Sequence, residues 1–408
     1  MLQQFLRRLQ GRERDYLLFL LSGVFLGIGQ SVDGSTLTNY LKENLGMLIL
    51  QRSALEIPRE LPGLLVFFTI GVLSFLGDVR ISVIANLLAA AGMFLLGVIP
   101  ADYTLVVLVI FLYSMGQHMY MPLVNSIGMS FAKAGEMGKT LGQLNAVNTA
   151  ALVVSSAVLW ALFKFAHISY TTSFTLGAVS FLIAAVMLSL IKPTQTVKSK
   201  RHYIVKKEYR LYYWLCMLFG ARKQIFITFG PWVLVDVFKQ QVTTMTVLFF
   251  IISVTGIFVK PWVGHLIDKV GEKVVLSGEA ALFFFVCLGY AFAEDLFTLP
   301  VAILVISACY VLDQTLGAVS MARATYLKKI ALSDEDVSPT LSLGTSIDHV
   351  VTMFLPLLGG LVWYNSGAGG YKYVFLGGAV IAILNFISTR QILIPKQSSA
   401  LSSKGAQK

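Results

Sequence analysis

Five clusters of polar and ionisable residues stand inside long apolar runs of this 408-residue chain. Asp33 follows Gln30 in the first run, with Gly29, Thr36 and Tyr40 on the same face by i, i+4, i+7 spacing. Gln117 and His118 occupy the fourth run, ahead of Pro122 and Asn125. Arg222, Lys223 and Gln224 fall about half-way along the seventh, and Asp313 and Gln314 lie at a similar depth in the tenth. Thr345, Asp348 and Thr352 share one face of the eleventh, with His349 beside them. A charge at the centre of a membrane helix costs about 3 kcal/mol or more unless it meets water or a partner, so each group is a candidate for binding a solute or carrying a proton.

Burial favours the neutral form of a carboxylate, so a buried acid can load a proton on one side of a membrane and release it on the other. Asp33 is the first candidate for that work, because no basic residue is near it in sequence. Arg222 and Lys223 can hold Asp313 and Asp348 charged, either as a pairing that substrate or proton must compete with, or only to hold the helices together. His118 sits among Met115, Met119 and Met121 and reads as a hydrogen-bonded structural histidine or a proton relay. The methionines offer a soft, adaptable wall. No His or Cys pair has i, i+4 spacing, so the sequence points to no metal site and to no catalytic residues. Cys216, Cys287 and Cys309 each lie in an apolar run without a CxxC partner and read as packing residues.

These side chains need a membrane scaffold. The composition is 56% hydrophobic and 13% charged, with mean hydropathy +0.75. A soluble protein carries about 25% charged residues. Apolar runs of membrane-spanning length give twelve candidate helices at 16–40, 55–77, 80–99, 103–130, 140–165, 170–191, 211–238, 243–266, 273–293, 298–326, 337–364 and 371–393. The basic residues behind the net charge of +11 alternate between these runs as lipid-flanking anchors do, which argues against nucleic acid as a partner. Of 32 Lys and Arg, only Lys42, Arg52, Arg59, Lys164, Lys239 and Lys372 fall in the odd-to-even loops, and Arg222, Lys223 and Lys260 lie in spans. Positive residues stay cytoplasmic, so both termini are expected inside a plasma membrane. The N-terminus, with four arginines before Asp15, reads as leading into an uncleaved first span.

The expected organisation is a six-helix unit over 1–191, a basic cytoplasmic linker over 192–210, a second six-helix unit over 211–394 and a disordered tail over 395–408. The units repeat. Asp78 matches Asp268, Tyr113 and Gln117 match Tyr310 and Gln314, Phe25 and Gln30 match Phe219 and Gln224, and Thr140 with Asn148 matches Thr340 with Asp348, all at offsets of 190–200.

Between the eighth and ninth runs stands Pro261-Trp262-Val263-Gly264-His265-Leu266-Ile267-Asp268-Lys269-Val270-Gly271-Glu272-Lys273. Its Gly264, Asp268, Lys269, Gly271 and Lys273 resemble the signature loop of the major facilitator superfamily, and with the twelve spans, central linker and repeat the resemblance covers nearly the whole chain. The drug and metabolite proton antiporters are the branch it is most similar to. The resemblance implies an all-α membrane protein of two pseudo-symmetric six-helix bundles around a cavity lined by helices one, four, seven and ten. It also implies that the loop holds the inner gate while the cavity faces outward. The copy around Asp78 departs from the pattern at Ser74, Val79 and Ile81.

The function expected is secondary active transport of a small organic solute by a monomer, proton-coupled and directed outward. Import of an organic anion or zwitterion is the alternative. A non-transporting sensor and an integral-membrane enzyme are the readings from other classes, and short, histidine-poor loops argue against the enzyme. No GxxxxGK[ST] sequence or other cofactor motif occurs. The charged segment Gln51–Gly63 is either a solvated start of the second span or an outer gate, with Pro58 interrupting its helical spacing.

Overall fold

The structure, a computed structural model, describes residues 11–132, 137–192 and 205–393. Residues 1–10 of the basic N-terminus, most of the expected 192–210 linker and the 395–408 tail lie outside the described residues. Twelve helical rods account for nearly everything else, and no strand occurs among the described residues. They are α1 (Gly11–Glu43), α2 in two pieces (α2a Ile49–Ala54, α2b Glu56–Leu73), α3 (Asp78–Val98), α4 (Tyr103–Phe131), α5 (Met137–Phe165) and α6 (Tyr170–Ser189). The second set is α7 (Arg210–Trp232), α8 (Val242–Val270), α9 (Glu272–Leu296), α10 in two pieces (α10a Leu299–Leu316, α10b Ser320–Ile330), α11 (Asp334–Asn365) and α12 (Gly370–Thr389). Ten rods are long and apolar enough to cross a bilayer, and the α2 rod is an eleventh if its segments Ile49–Val66 and Phe68–Leu76, bent by 46°, form one span. In α7 the charged pair Arg222-Lys223 interrupts an otherwise apolar helix of 23 residues.

Local chemistry sets the ends. Asp102 caps α4 by accepting from the Leu105 amide at 2.9 Å, and Ser169 caps α6 by accepting from Thr172 at 3.1 Å. Arg12 donates to the carbonyls of Ser130, Phe131 and Ala132 at the far end of α4, where the helix dipole is negative. Pro58 lies in the first turn of α2b; it has no amide to reach the Ala54 carbonyl four residues back, and the rod divides at Leu55 between α2a and α2b, as the sequence suggested.

Packing is duplicated. In the first set α1 lies on α5 and α6, α3 on α4 and α6, and α2b on α4; in the second, α7 lies on α11 and α12, α9 on α10a and α12, and α8 on α10a. Two seams join the sets, α2 against α11 and α5 against α8, with α1 also meeting α8. Glycines allow the closest helix approaches: a Cβ on Gly27 would meet the Asn148 carbonyl at 2.7 Å, and one on Gly220 would collide with the Asp348 carboxylate, so α1/α5 and α7/α11 pack alike. The thiols also serve packing, with Cys216, Cys287 and Cys309 set against Gly344, Gly378 and Gly289.

The repeat register is corrected at the loops. Gly77 (φ 80°, ψ 156°) starts α3 and Gly271 (φ 82°, ψ 162°) starts α9, in a conformation open almost only to glycine. Asp78 therefore corresponds to Glu272, not to Asp268. Each acid tops its helix and binds the α4 or α10b rod beside it: Ser126 donates to Asp78, and Lys329 pairs with buried Glu272 at 2.7 Å.

Candidate functional site

A cavity of about 190 Å³ lies between the two sets of helices, with Asp33, Arg52, Arg59, Phe249, Tyr310 and Gln314 in its wall. It extends along α1 from Asp33 to Leu41, towards the end of the molecule opposite the basic α2–α3 and α8–α9 loops. Asp33 reaches it from α1, where Gly34 makes room for Phe249 of α8; a Cβ there would collide with that ring. One Asp33 carboxyl oxygen is buried without a hydrogen-bond partner. Tyr113 hydrogen-bonds the carboxylate and the charges of Arg59, Glu56 and Arg52 lie around it, but none of these forms an ion pair with it among the described residues.

The charged segment of α2 is the main site that sequence reasoning misplaced, in allowing it to be solvated chain. Arg52 is 3%, Glu56 0% and Glu60 7% exposed. Glu56 is bound by Arg52, by Arg59 at 3.1 Å and, across the seam, by Gln224 of α7 at 2.9 Å. Arg52 and Glu56 are four apart, which on a helix stacks them on one face; that spacing was the available signal, and Pro58 masked it. Glu60, one turn further, accepts from His349 Nδ1 at 3.0 Å and from Thr352 at 3.1 Å on α11. His118 of α4 meets His349 edge to face, with ring centroids 5.2 Å apart. Gln30 and Gln117 are weakly bonded at 3.4 Å, and Asn148 reaches Gln30 at 3.4 Å.

In the second set the expected pairs form, with one addition. Arg222 donates to Asp313 at 2.9 Å, and its Nε lies 2.9 Å from Glu279 of α9, close but poorly aligned for a hydrogen bond. Arg222, Asp313 and Glu279 are only 2–4% exposed. Neither Arg222 nor Asp313 lines the cavity; the neighbouring Gln314 does. Lys223 binds Asp348 at 2.7 Å and both remain partly exposed. Arg323 lies within α10b, its guanidinium 3.3 Å from the Phe219 ring centroid.

The two sets are locked together at the end away from the basic loops. Lys42 pairs with Asp236 at 2.7 Å and covers Trp232, Asn39 donates to the Gln240 carbonyl at 3.0 Å, and Gly360 of α11 admits Ser53 of α2a. At the basic end Asp268, Lys269 and Lys260 are exposed, and Asp268 has no hydrogen bond or ion pair among the described residues. Space is open around Gly264, so close helix approach is not its role in this state.

The Major Facilitator Superfamily profile matches residues 19–331, three-quarters of the chain. The chain belongs to the Major Facilitator Superfamily. It is thus a multi-pass membrane transporter and not an enzyme. Solved members share the fold at low identity. A point mutant of the nucleoside transporter NupG aligns with TM-score 0.77 at 14% identity, over 93% of this chain and 100% of that one. A bacterial homologue of the iron transporter ferroportin, inward-facing, gives 0.70 at 15%, over 92% and 98%. The xylose transporter XylE from E. coli, inward open, gives 0.68 at 12%, over 94% and 97%. No curated protein matches significantly.

Proposed function

We propose that this superfamily member is a proton-coupled secondary transporter that exports a small organic solute by alternating access. The observation that carries the reading is Asp33, set in the wall of the cavity between the two helix sets with an unpartnered carboxyl oxygen. Protonating it breaks no ion pair, so it can bind and release a proton at low cost as water access changes. The apolar walls of Leu37, Leu41, Leu55 and Ile252 support an amphipathic cargo. Units 1–191 and 211–394 act as the rocking bodies of a monomer, with the basic loops and both termini on the cytoplasmic side of a plasma membrane. On that orientation the locked end is the outer one, and the fold's likeness to inward-facing homologues agrees with it. The Asp268–Lys273 loop would then be disengaged here and form its gate contacts in the outward-facing state.

Arg52 and Arg59 in the same wall favour a second reading, import of an organic anion or zwitterion. Proteoliposomes with an imposed pH gradient and a panel of organic solutes separate the two. Export predicts solute movement against the proton and its collapse when the gradient is dissipated. Movement of solute with the proton supports import, and gradient-independent flux refutes proton coupling.

A further inference from the structure

Three side chains far apart in sequence converge on the α2–α11 seam. Atoms of Glu60 (α2b), His118 (α4) and His349 (α11) that could ligate a metal all lie within 4.8 Å of one another. We propose that they form a binding site for a divalent transition-metal ion, of the class that imidazole and carboxylate ligands favour: Zn²⁺, Co²⁺ or Ni²⁺.

Three features mark this as a prepared site. First, its ligand set has two imidazoles and one carboxylate, as in open zinc sites that keep positions for water. Ligands 2.0–2.1 Å from a tetrahedral ion stand about 3.4 Å apart, so short side-chain rotations complete the geometry. Second, His118 is oriented. Its Nδ1 lies 3.0 Å from both the carbonyl and the hydroxyl of Ser114, and that hydroxyl donates its hydrogen to the Arg59 carbonyl, so both oxygens are left to accept and this nitrogen carries the hydrogen. The Nε2 lone pair is left free for an ion, the arrangement by which a second hydrogen bond fixes a ligating histidine. Third, the chain makes room. A Cβ on Gly63, one turn beyond Glu60, would collide with His349 Cε1 and lie 2.7 Å from His118 Cδ2. Only glycine there lets both rings approach the carboxylate.

The remaining groups agree with an anionic, oriented pocket. Thr352 and His349 both bind Glu60 Oε2, leaving Oε1 free. Two ligands come from the first helix set and one from the second. An ion bound here therefore stabilises the state in which the seam is closed, because only that state supplies all three ligands. This inference does not depend on which solute crosses the membrane.

Tag-free full-length protein in detergent, titrated with Zn²⁺ by calorimetry and with Co²⁺ by visible absorption, tests it. The expected result is one ion per chain with ligand-field bands from nitrogen and oxygen ligands. His118→Ala and His349→Ala should each weaken binding at least about 100-fold, since losing an outer partner alone costs 10–100-fold. His265→Ala, exposed near the basic end of α8, should leave it unchanged. Should either histidine variant fail to fold, Glu60→Gln and Gly63→Ala replace it, and both should weaken binding. Absence of binding by the native chain, or native-like affinity in folded ligand variants, would overturn the site. Because no transport is measured, failure here is separate from failure of the proposed transport reaction.

Discussion

At the scale of single residues, the membrane interior divides charged groups by what they face. Arg222 is sealed between Asp313 and Glu279, and removing one partner of a buried pair leaves an uncompensated charge. Arg222→Ala should destabilise the protein by about 3–5 kcal/mol, read as a fall in melting temperature in detergent, whatever its effect on flux. Lys223 and Asp348 are less buried than that cluster, so Lys223→Ala should lower the melting temperature by less than Arg222→Ala does. Asp33→Asn should keep the fold and remove the pH dependence of transport; normal gradient-driven flux in that variant would exclude Asp33 as the proton site. The pairing of Arg222 and Lys223 with Asp313 and Asp348 was legible because charges inside apolar runs must find partners. Glu279 was not legible. It sits two turns into α9, where the sequence alone cannot tell a buried face from a solvated end.

At the scale of elements, the helix ends carry the duplication more faithfully than the motif letters do. Gly77 and Gly271 share a backbone conformation that a Cβ opposes, so Gly77→Ala and Gly271→Ala should each cost about 1–3 kcal/mol in thermal unfolding. Gly264→Ala, with open space at its Cβ, should be neutral or stabilising by up to about 1 kcal/mol. A larger loss would place Gly264 in a tight contact formed only in another state. The sequence aligned Asp78 with Asp268 because identity of residue type suggested it. The fold aligns Asp78 with Glu272, because the equivalent physical position is the first turn after the loop glycine, where an acid meets the positive helix end. The start of α2 was misjudged for a related reason. Pro58 does divide the rod at Leu55, but Arg52 and Glu56 still meet across the break and are buried together.

At the scale of the whole molecule, two six-helix sets meet along α2–α11 and α5–α8 and are pinned at one end by Lys42–Asp236. If alternating access opens this end, Lys42→Cys/Asp236→Cys joined by a short cleavable thiol crosslinker should stop transport, and cleavage should restore it. Undiminished transport by the crosslinked protein would show that these ends need not separate. The same closure brings Glu60 to His349, so the seam that gates the cavity is also where the metal ligands meet.

The sequence by itself determined the membrane class, the twelve helical segments, their duplication and the charge types within them. Each of those follows from local terms: apolar length against bilayer thickness, and the cost of an unpaired charge in hydrocarbon. Only the tertiary structure decided which charges share a neighbourhood. Glu60, His118 and His349 are separated by 58 and 231 residues, and no spacing rule joins them. Helix packing set by Gly63 and the α2–α11 seam brings them together, and it turned Asp33 from one acid among several into the one that faces the cavity.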